Sequence, residues 1–278
     1  MPPAVYVDGR AAAALPLPDR AAAYGDGLFE TLLARGRCPA WLELHAERLR
    51  AGLAALGIGE PPWQQHLQAA LTTLPDDRRW RTLRMTVTRG AGPRGYVPPP
   101  EARARTVIEI GDGTLDPLAD PAPLRAAAAR FRWSRQPALA GIKHLNRLEQ
   151  VLAAKECRDR GYDELVVRDP EDAPVSTVSA NLFLLRDGVL LTPALPGCGI
   201  RGTRRRLLLE VLGPALSLRC AEARLATADL ETAEAVFCCN SVRGIVPLAS
   251  CDDVRWRGSA QIPRLQNAYR EALAACVV

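Results

Sequence analysis

Leu139-Ala-Gly-Ile-Lys-His-Leu-Asn-Arg-Leu-Glu-Gln150 is the stretch on which the reading of this chain turns. It sets Lys143 at the mouth of a helix, beside a strand that must pass through a core. Leu145, Leu148 and Leu152 recur at helical spacing with Glu149, Lys155 and Glu156 on the other side, which predicts an amphipathic helix from about His144 to Arg160, closed by Gly161. A lysine amine with its usual pKa of about 10.4 is a poor nucleophile at neutral pH. An apolar pocket or a neighbouring cation frees its lone pair for Schiff-base formation, and Leu139, Ala140, Ile142 and Leu145 offer apolar surroundings. The competing reading is an ordinary solvated lysine ahead of a helix. Lysine is scarce in this arginine-rich chain, with only Lys143 and Lys155 present. A lysine kept here is therefore needed as an amine and not merely as a charge.

The 278 residues suffice for one large or two medium domains. A hydrophobic content of 48% and a charged content of 24% are those of an ordinary globular protein. No apolar run approaches the roughly 20 residues of a membrane span. Met1-Pro-Pro-Ala4 lacks the basic start and apolar stretch of a signal peptide, so a cytoplasmic protein without a membrane partner is expected. The cysteines at 38, 157, 198, 220, 238, 239, 251 and 276 show no CxxC spacing and read as reduced thiols. The three histidines lie far apart, which argues against a metal site. The net charge of +5 is spread along the chain with few aromatics interleaved, which disfavours nucleic acid as a partner and suits a small anionic ligand.

In chain order, Ala4–Val7 reads as a strand and Leu28–Leu33 as a buried one, with Trp41 and Leu42 in the returning strand of its hairpin. Helices are expected from about Glu43 to Leu56 and from Pro62 to about Leu74. Alternation of Leu83, Met85 and Val87 with Arg84, Thr86 and Thr88 predicts a strand, and Thr106–Ile110 another. Gly and Pro punctuate Gly111–Pro123, the expected linker between a smaller N-terminal domain (1–110) and a larger C-terminal domain (124–278). Further strands are expected at Arg125–Arg132, Glu164–Arg168, Asn181–Leu185, Val189–Leu191 and Val236–Cys239, with helices at Thr203–Leu212 and Ile262–Cys276. The expected class is α+β or mixed α/β.

Six motifs carry a resemblance. Tyr24-Gly-Asp-Gly-Leu-Phe-Glu-Thr31, His45-Ala-Glu-Arg48-Leu, Lys143-His-Leu-Asn146-Arg-Leu, Ser179-Ala-Asn181-Leu-Phe183, Gly199-Ile-Arg-Gly202-Thr-Arg and Asn240-Ser241-Val-Arg-Gly-Ile-Val-Pro247 stand in the order and spacing of the fold-type IV pyridoxal-phosphate enzymes. That family resembles this chain from about Val5 to Leu248 and includes branched-chain and D-amino-acid transaminases and 4-amino-4-deoxychorismate lyases. Thr88–Tyr96 and Lys143–Gln150 look most like the lyase versions. The resemblance implies a two-domain homodimer that binds pyridoxal 5'-phosphate. It implies conversion of 4-amino-4-deoxychorismate to 4-aminobenzoate and pyruvate for folate synthesis, with an amino-acid transaminase or a non-catalytic binding protein as alternatives.

Residue by residue, the resemblance makes Lys143 the cofactor-holding lysine and proton shuttle, and Arg48 the arginine that grips the phosphate. Gly202 with the amides of Thr203 and Arg204 forms a phosphate cradle at a helix start, with Ser241 adding a hydroxyl. Asn181 marks the strand carrying the cofactor's neighbours. Five residues before it, where the family places a glutamate against the pyridine nitrogen, this chain has Ser176. A serine provides no counter-charge, which favours elimination over transamination unless Glu171 or Asp172 replaces it. Arg89, Arg94 and Tyr96 suit a substrate with two carboxylates, with Tyr24 and Thr31 facing the same pocket.

Overall fold

The computed structural model describes residues 4–113 and 115–277 and divides by its internal contacts into two compact units. The first comprises Met1–Asp116 with Ile142–Asn146 and Ala275–Val278, the second Pro117–Gly141 and Arg147–Ala274. The units depart from the expected 1–110 and 124–278 division: Ile142–Asn146, with Lys143, and Ala275–Val278 group with the first unit. Gly111 and Asp112 also belong to a strand rather than a linker, and Thr114 lies outside the described residues.

The first unit holds β1 (Ala4–Val7), β2 (Arg10–Ala11), α1 (Arg20–Tyr24), β3 (Gly27–Arg35), β4 (Cys38–Pro39), α2 (Leu42–Leu56), α3 (Trp63–Thr72), β5 (Trp80–Thr88) and β6 (Arg105–Asp112). Its sheet runs β2-β1-β6-β5-β3-β4, antiparallel throughout. Alternation sends Leu28, Leu32, Leu83, Met85 and Ile108 into the core, all at 0 to 2% exposure. Gly52 of α2 leaves room for the Leu28 side chain. Trp41 does not extend the hairpin, because it adopts a left-handed conformation and starts α2 at Leu42.

The second unit holds β7 (Leu124–Arg132), α4 (Leu148–Asp159), β8 (Glu164–Arg168), β9 (Pro174–Thr177), β10 (Asn181–Arg186), β11 (Val189–Pro193), α5 (Thr203–Leu207), a π-turn at Leu208–Leu212 running into α6 (Gly213–Ala215), β12 (Arg219–Ala223), α7 (Thr227–Glu231), β13 (Ala235–Asn240), β14 (Gly244–Cys251), β15 (Val254–Arg255) and α8 (Gln261–Cys276). The sheet order is β12-β11-β10-β13-β14-β7-β8-β9, and β9 also meets β10. Six strands therefore form a closed circuit, sealed where Ser176 lies opposite Asn181. The sheet is mixed, with parallel pairs at β7–β8, β7–β14 and β11–β12. Phe183 and Phe237, paired across β10 and β13, stack at 5.1 Å in its interior.

The helix expected from His144 begins only at Leu148, because the backbone of residues 143–145 is taken up by pairing with β3. Its buried face carries Ala153 and Cys157, while Leu148, Val151 and Leu152 are 78%, 60% and 52% exposed. The helix expected at Pro62–Leu74 spans Trp63–Thr72, and that expected at Thr203–Leu212 changes to π geometry at Leu208. No helix among the described residues is long and apolar enough to cross a membrane. Phe183→Ala removes half of the stacked pair from a fully buried position and is expected to destabilise the protein by about 3–5 kcal/mol in urea denaturation.

Candidate active site

Lys143 is placed by two backbone hydrogen bonds on the edge of β3. The Phe29 N–H donates to the Lys143 carbonyl at 2.9 Å and the Leu145 N–H to the Gly27 carbonyl at 3.0 Å, with Leu28 opposite His144. The turn before β3 accommodates the strip, since Gly25 is left-handed and a side chain there would collide with the Asn146 amide. This antiparallel register sets Lys143 across from Phe29, so both side chains share one face of the sheet. The ammonium lies 4.1 Å from the Phe29 ring centroid, and the Arg84 guanidinium lies 4.0 Å from the same ring. Thr31, two residues further along β3, pairs with Arg84. Lys143, Phe29, Arg84 and Thr31 thus form one patch, of which sequence reasoning had named only Lys143 and Thr31.

Glu30 points to the opposite, helix-covered face. Its carboxylate accepts from His45 Nδ1 at 2.6 Å and Arg48 Nε at 2.8 Å, and it also takes Arg48 Nη2. Burial pushes the Glu30 carboxyl upward, but the Arg48 charge and the hydrogen bonds of His45 and Arg48 outweigh it and hold the pKa at about 2. The phosphate-gripping arginine expected from the sequence is thus seated on a buried carboxylate.

Arg89 has a structural task instead of the expected substrate contact. It is 7% exposed and donates to Asp26 and to the carbonyls of Leu56 and Gly57 at the end of α2. Asp26 also binds Arg20, and although burial works to raise its carboxyl, Arg89 and Arg20 hold it below the ordinary range. Arg20 in turn fixes the carbonyls of Gly95 and Tyr96, and the Tyr24 hydroxyl accepts from the Gly95 N–H. Tyr24 and Tyr96 meet at 5.5 Å between centroids, with Tyr96 87% exposed and Arg94 exposed beside it.

In the second unit Ser176 is 8% exposed. Its hydroxyl accepts from Trp133 Nε1 at 2.9 Å and donates to the Thr177 carbonyl at 2.8 Å. Neither suggested substitute carboxylate turns inward: Glu171 pairs with Arg135 and Arg224, and Asp172 with Arg132 and Arg168. Asn181 donates to the Ile200 carbonyl at 2.8 Å. A side chain at Gly202 would collide with the Asn181 amide oxygen, so only glycine lets the start of α5 come this close. Thr203 and Arg204 are buried, and the Arg204 guanidinium donates to the Tyr269 hydroxyl, so Arg204 offers its amide rather than its side chain. Ser241 sits in the turn between β13 and β14, where Asn240 Oδ1 accepts the N–H groups of Val242 and Arg243. Within this unit the register brings Ser176, Asn181 and Gly202 together.

Taken unit by unit, these groups are of the kinds that suit pyridoxal phosphate: in the first a lysine amine against an aromatic face and an arginine fork, in the second a glycine-led helix start. The class IV amino-transferase family model matches residues 27–251, and the chain belongs to this family. It is 34% identical over 255 residues to an aminodeoxychorismate lyase of Vibrio harveyi, covering 88% of this chain and 90% of that protein. It superposes on the crystal structure of a 4-amino-4-deoxychorismate lyase from Pseudomonas aeruginosa with a TM-score of 0.89 at 40% identity, over 96% of this chain and 98% of the other. A branched-chain aminotransferase of Thermobaculum terrenum in its PLP form superposes with a TM-score of 0.85 at 21% identity, over 99% and 95%, a likeness of fold alone.

The depressed Glu30 carboxyl contributes to the acid limb of stability. Its folded pKa lies below the ordinary 4.5, so the stabilisation is complete above about pH 5 and is lost as pH falls from about 4.5 towards 2. Glu30→Gln is expected to remove about 3 kcal/mol of that pH-dependent stability, read from urea midpoints between pH 2 and 6.

Proposed function

We propose that this chain is a pyridoxal-phosphate-dependent aminodeoxychorismate lyase that converts 4-amino-4-deoxychorismate to 4-aminobenzoate and pyruvate, serving folate synthesis. The observation that carries this reading is likeness over nearly the whole chain to two lyases at 34% and 40% identity. The lysine patch supports it chemically.

When bound, the cofactor supplies an aldehyde that joins the substrate amine and acidifies the neighbouring C–H. Lys143 supplies the amine that carries the cofactor between turnovers. Its nitrogen then takes the proton from the ring carbon bearing the substrate amine. The C–O bond to the enolpyruvyl group breaks, the ring becomes aromatic, and the proton is returned to the departing enolpyruvate, which leaves as pyruvate. Arg48 and Ser241, with the amides of Thr203 and Arg204 behind Gly202, hold the phosphate. Arg84, stacked on the ring beneath Lys143, binds a substrate carboxylate with Arg94, and Thr31, Tyr24 and Tyr96 line the substrate's approach.

Ser176 is the residue that selects the lyase outcome over transamination. Its hydroxyl, engaged with Trp133 and Thr177, carries no negative charge and would supply no counter-charge to a protonated ring nitrogen. Without that counter-charge the cofactor would be a weaker electron sink, a lack that matters less where formation of an aromatic product drives the step. The exposed stripe of Leu148, Val151 and Leu152 supports a homodimer in which a second copy covers α4. Eight free thiols suit a reducing cytoplasm.

Purified protein given 4-amino-4-deoxychorismate is expected to release equimolar pyruvate and 4-aminobenzoate with no keto-acid acceptor. An absolute requirement for the acceptor sinks the lyase reading. Ser176→Glu is expected to gain amino-acid transamination measurable by a coupled assay, and an unchanged activity ratio would refute the role given to Ser176.

A further inference from the structure

Asp19 and Arg20, at the start of α1, hold opposite ends of one loop. The segment 89–104 joins β5 to β6 without forming helix or strand, and from residue 91 onward it is exposed or half-buried. A connection of this length inside a compact unit is costly to order and is usually kept for a task. Its feet are the paired residues Thr88 and Arg105. Asp19 is 3% exposed, and its Oδ2 accepts from Thr88 Oγ1 and from Arg105 Nη1, both at 3.0 Å, so one carboxylate oxygen clamps the two feet together. Just inside them the Gly90 N–H donates to Thr88 Oγ1 and the Gly90 carbonyl accepts the Arg20 N–H at 2.8 Å.

The tip is held by the Arg20 side chain, which is 4% exposed. Nε donates to Asp26 at 2.8 Å, Nη1 to the Gly95 carbonyl at 3.0 Å and Nη2 to the Tyr96 carbonyl at 2.9 Å. The guanidinium lies 4.8 Å from the Tyr24 ring centroid, and the Tyr24 hydroxyl accepts the Gly95 N–H at 3.0 Å. Asp26 balances the buried charge, and a rigid fork takes up the backbone of the tip from one side. The side chains there are left outside: Arg94 is exposed, and Tyr96 and Val97 are 87% and 82% exposed. Bonds from a buried arginine to the carbonyls of an exposed loop bury no apolar surface at the tip. What they fix is the direction in which Arg94 and Tyr96 stand.

We propose that Arg20 is a positioning residue for substrate binding, pinning the tip of the 89–104 loop so that Arg94 and Tyr96 are oriented before the substrate arrives. This rests on the reading of those two side chains given above. Arg20 itself touches no substrate; it removes the ordering cost that a loose loop would add to binding.

The test uses the full-length, cofactor-loaded protein. Arg20→Lys keeps a charge beside Asp26 but cannot bridge both carbonyls. It is expected to raise KM for 4-amino-4-deoxychorismate about tenfold while leaving kcat and the affinity for pyridoxal 5'-phosphate each within about twofold. Trypsin cleavage of the Arg94–Gly95 bond, whose N–H is held by Tyr24, is expected to quicken about tenfold in the same variant. Tyr24→Phe, which removes only the acceptor of that N–H, should quicken cleavage too and is the readout if the lysine variant does not fold. Unchanged cleavage would overturn the pinning, and an unchanged KM would overturn its service to the substrate. An equal loss of cofactor affinity would make Arg20 merely structural and overturn the proposal as well. Arg94→Ala separates the underlying reading. If KM is unchanged there also, the loop does not bind substrate and Arg20 has nothing to position; if KM rises there while Arg20→Lys is silent, only the positioning role is refuted.

Discussion

Two hydrogen bonds between the start of β3 and residues 143–145 decide which face of the first unit's sheet carries Lys143. They remove the strip from the helix its side-chain spacing suggests and turn it into a short edge partner of the first unit's sheet. Because antiparallel register fixes which side chains share a face, pairing Leu28 with His144 puts Lys143 over Phe29 and in the company of Arg84. A shift of one residue would carry the amine to the other face, among the buried leucines. Gly25 and Asn146, packed tightly against one another, oppose such a slip.

The same strand divides the labour. Phe29 and Thr31 lie on the lysine face, and Glu30 between them turns to His45 and Arg48 of α2, so consecutive residues supply two separate groups of contacts. The second unit uses a comparable economy: closing six strands at the Ser176–Asn181 pair places a neutral hydroxyl and an amide next to the glycine that begins α5. In both units a strand register, set by core packing, aims the polar groups.

Much of this was legible in the residues. The period-two alternation of Leu83–Thr88 and the apolar runs at 164–168 and 235–240 specify strands directly, and the six ordered motifs specify the family. Other features were hidden for physical reasons. Leu145, Leu148 and Leu152 imitate a buried helix face, yet the last two point outward and backbone pairing claims the first. Trp41 takes a left-handed conformation that no propensity favours. Pro174–Thr177 is too short and Arg219–Ala223 too polar to announce strands. Arg89 sits beside a glycine-rich loop and resembles a ligand-binding residue, but three internal acceptors consume it. The place of Arg84 is hidden in the sequence because alternation shows that it lies on the polar face without showing what meets that face. Glu30 belongs to the Tyr24–Thr31 motif, and only the structure reveals that its carboxylate is buried against His45 and Arg48.

The proposed activity requires one amine, that of Lys143, to form a covalent bond with the cofactor. Borohydride reduction of the cofactor-loaded protein, followed by proteolysis and mass spectrometry, reads that bond directly. The expected result is a single pyridoxyl adduct on Lys143. An adduct on Lys155, the other lysine of the chain, or no adduct at all, would contradict it.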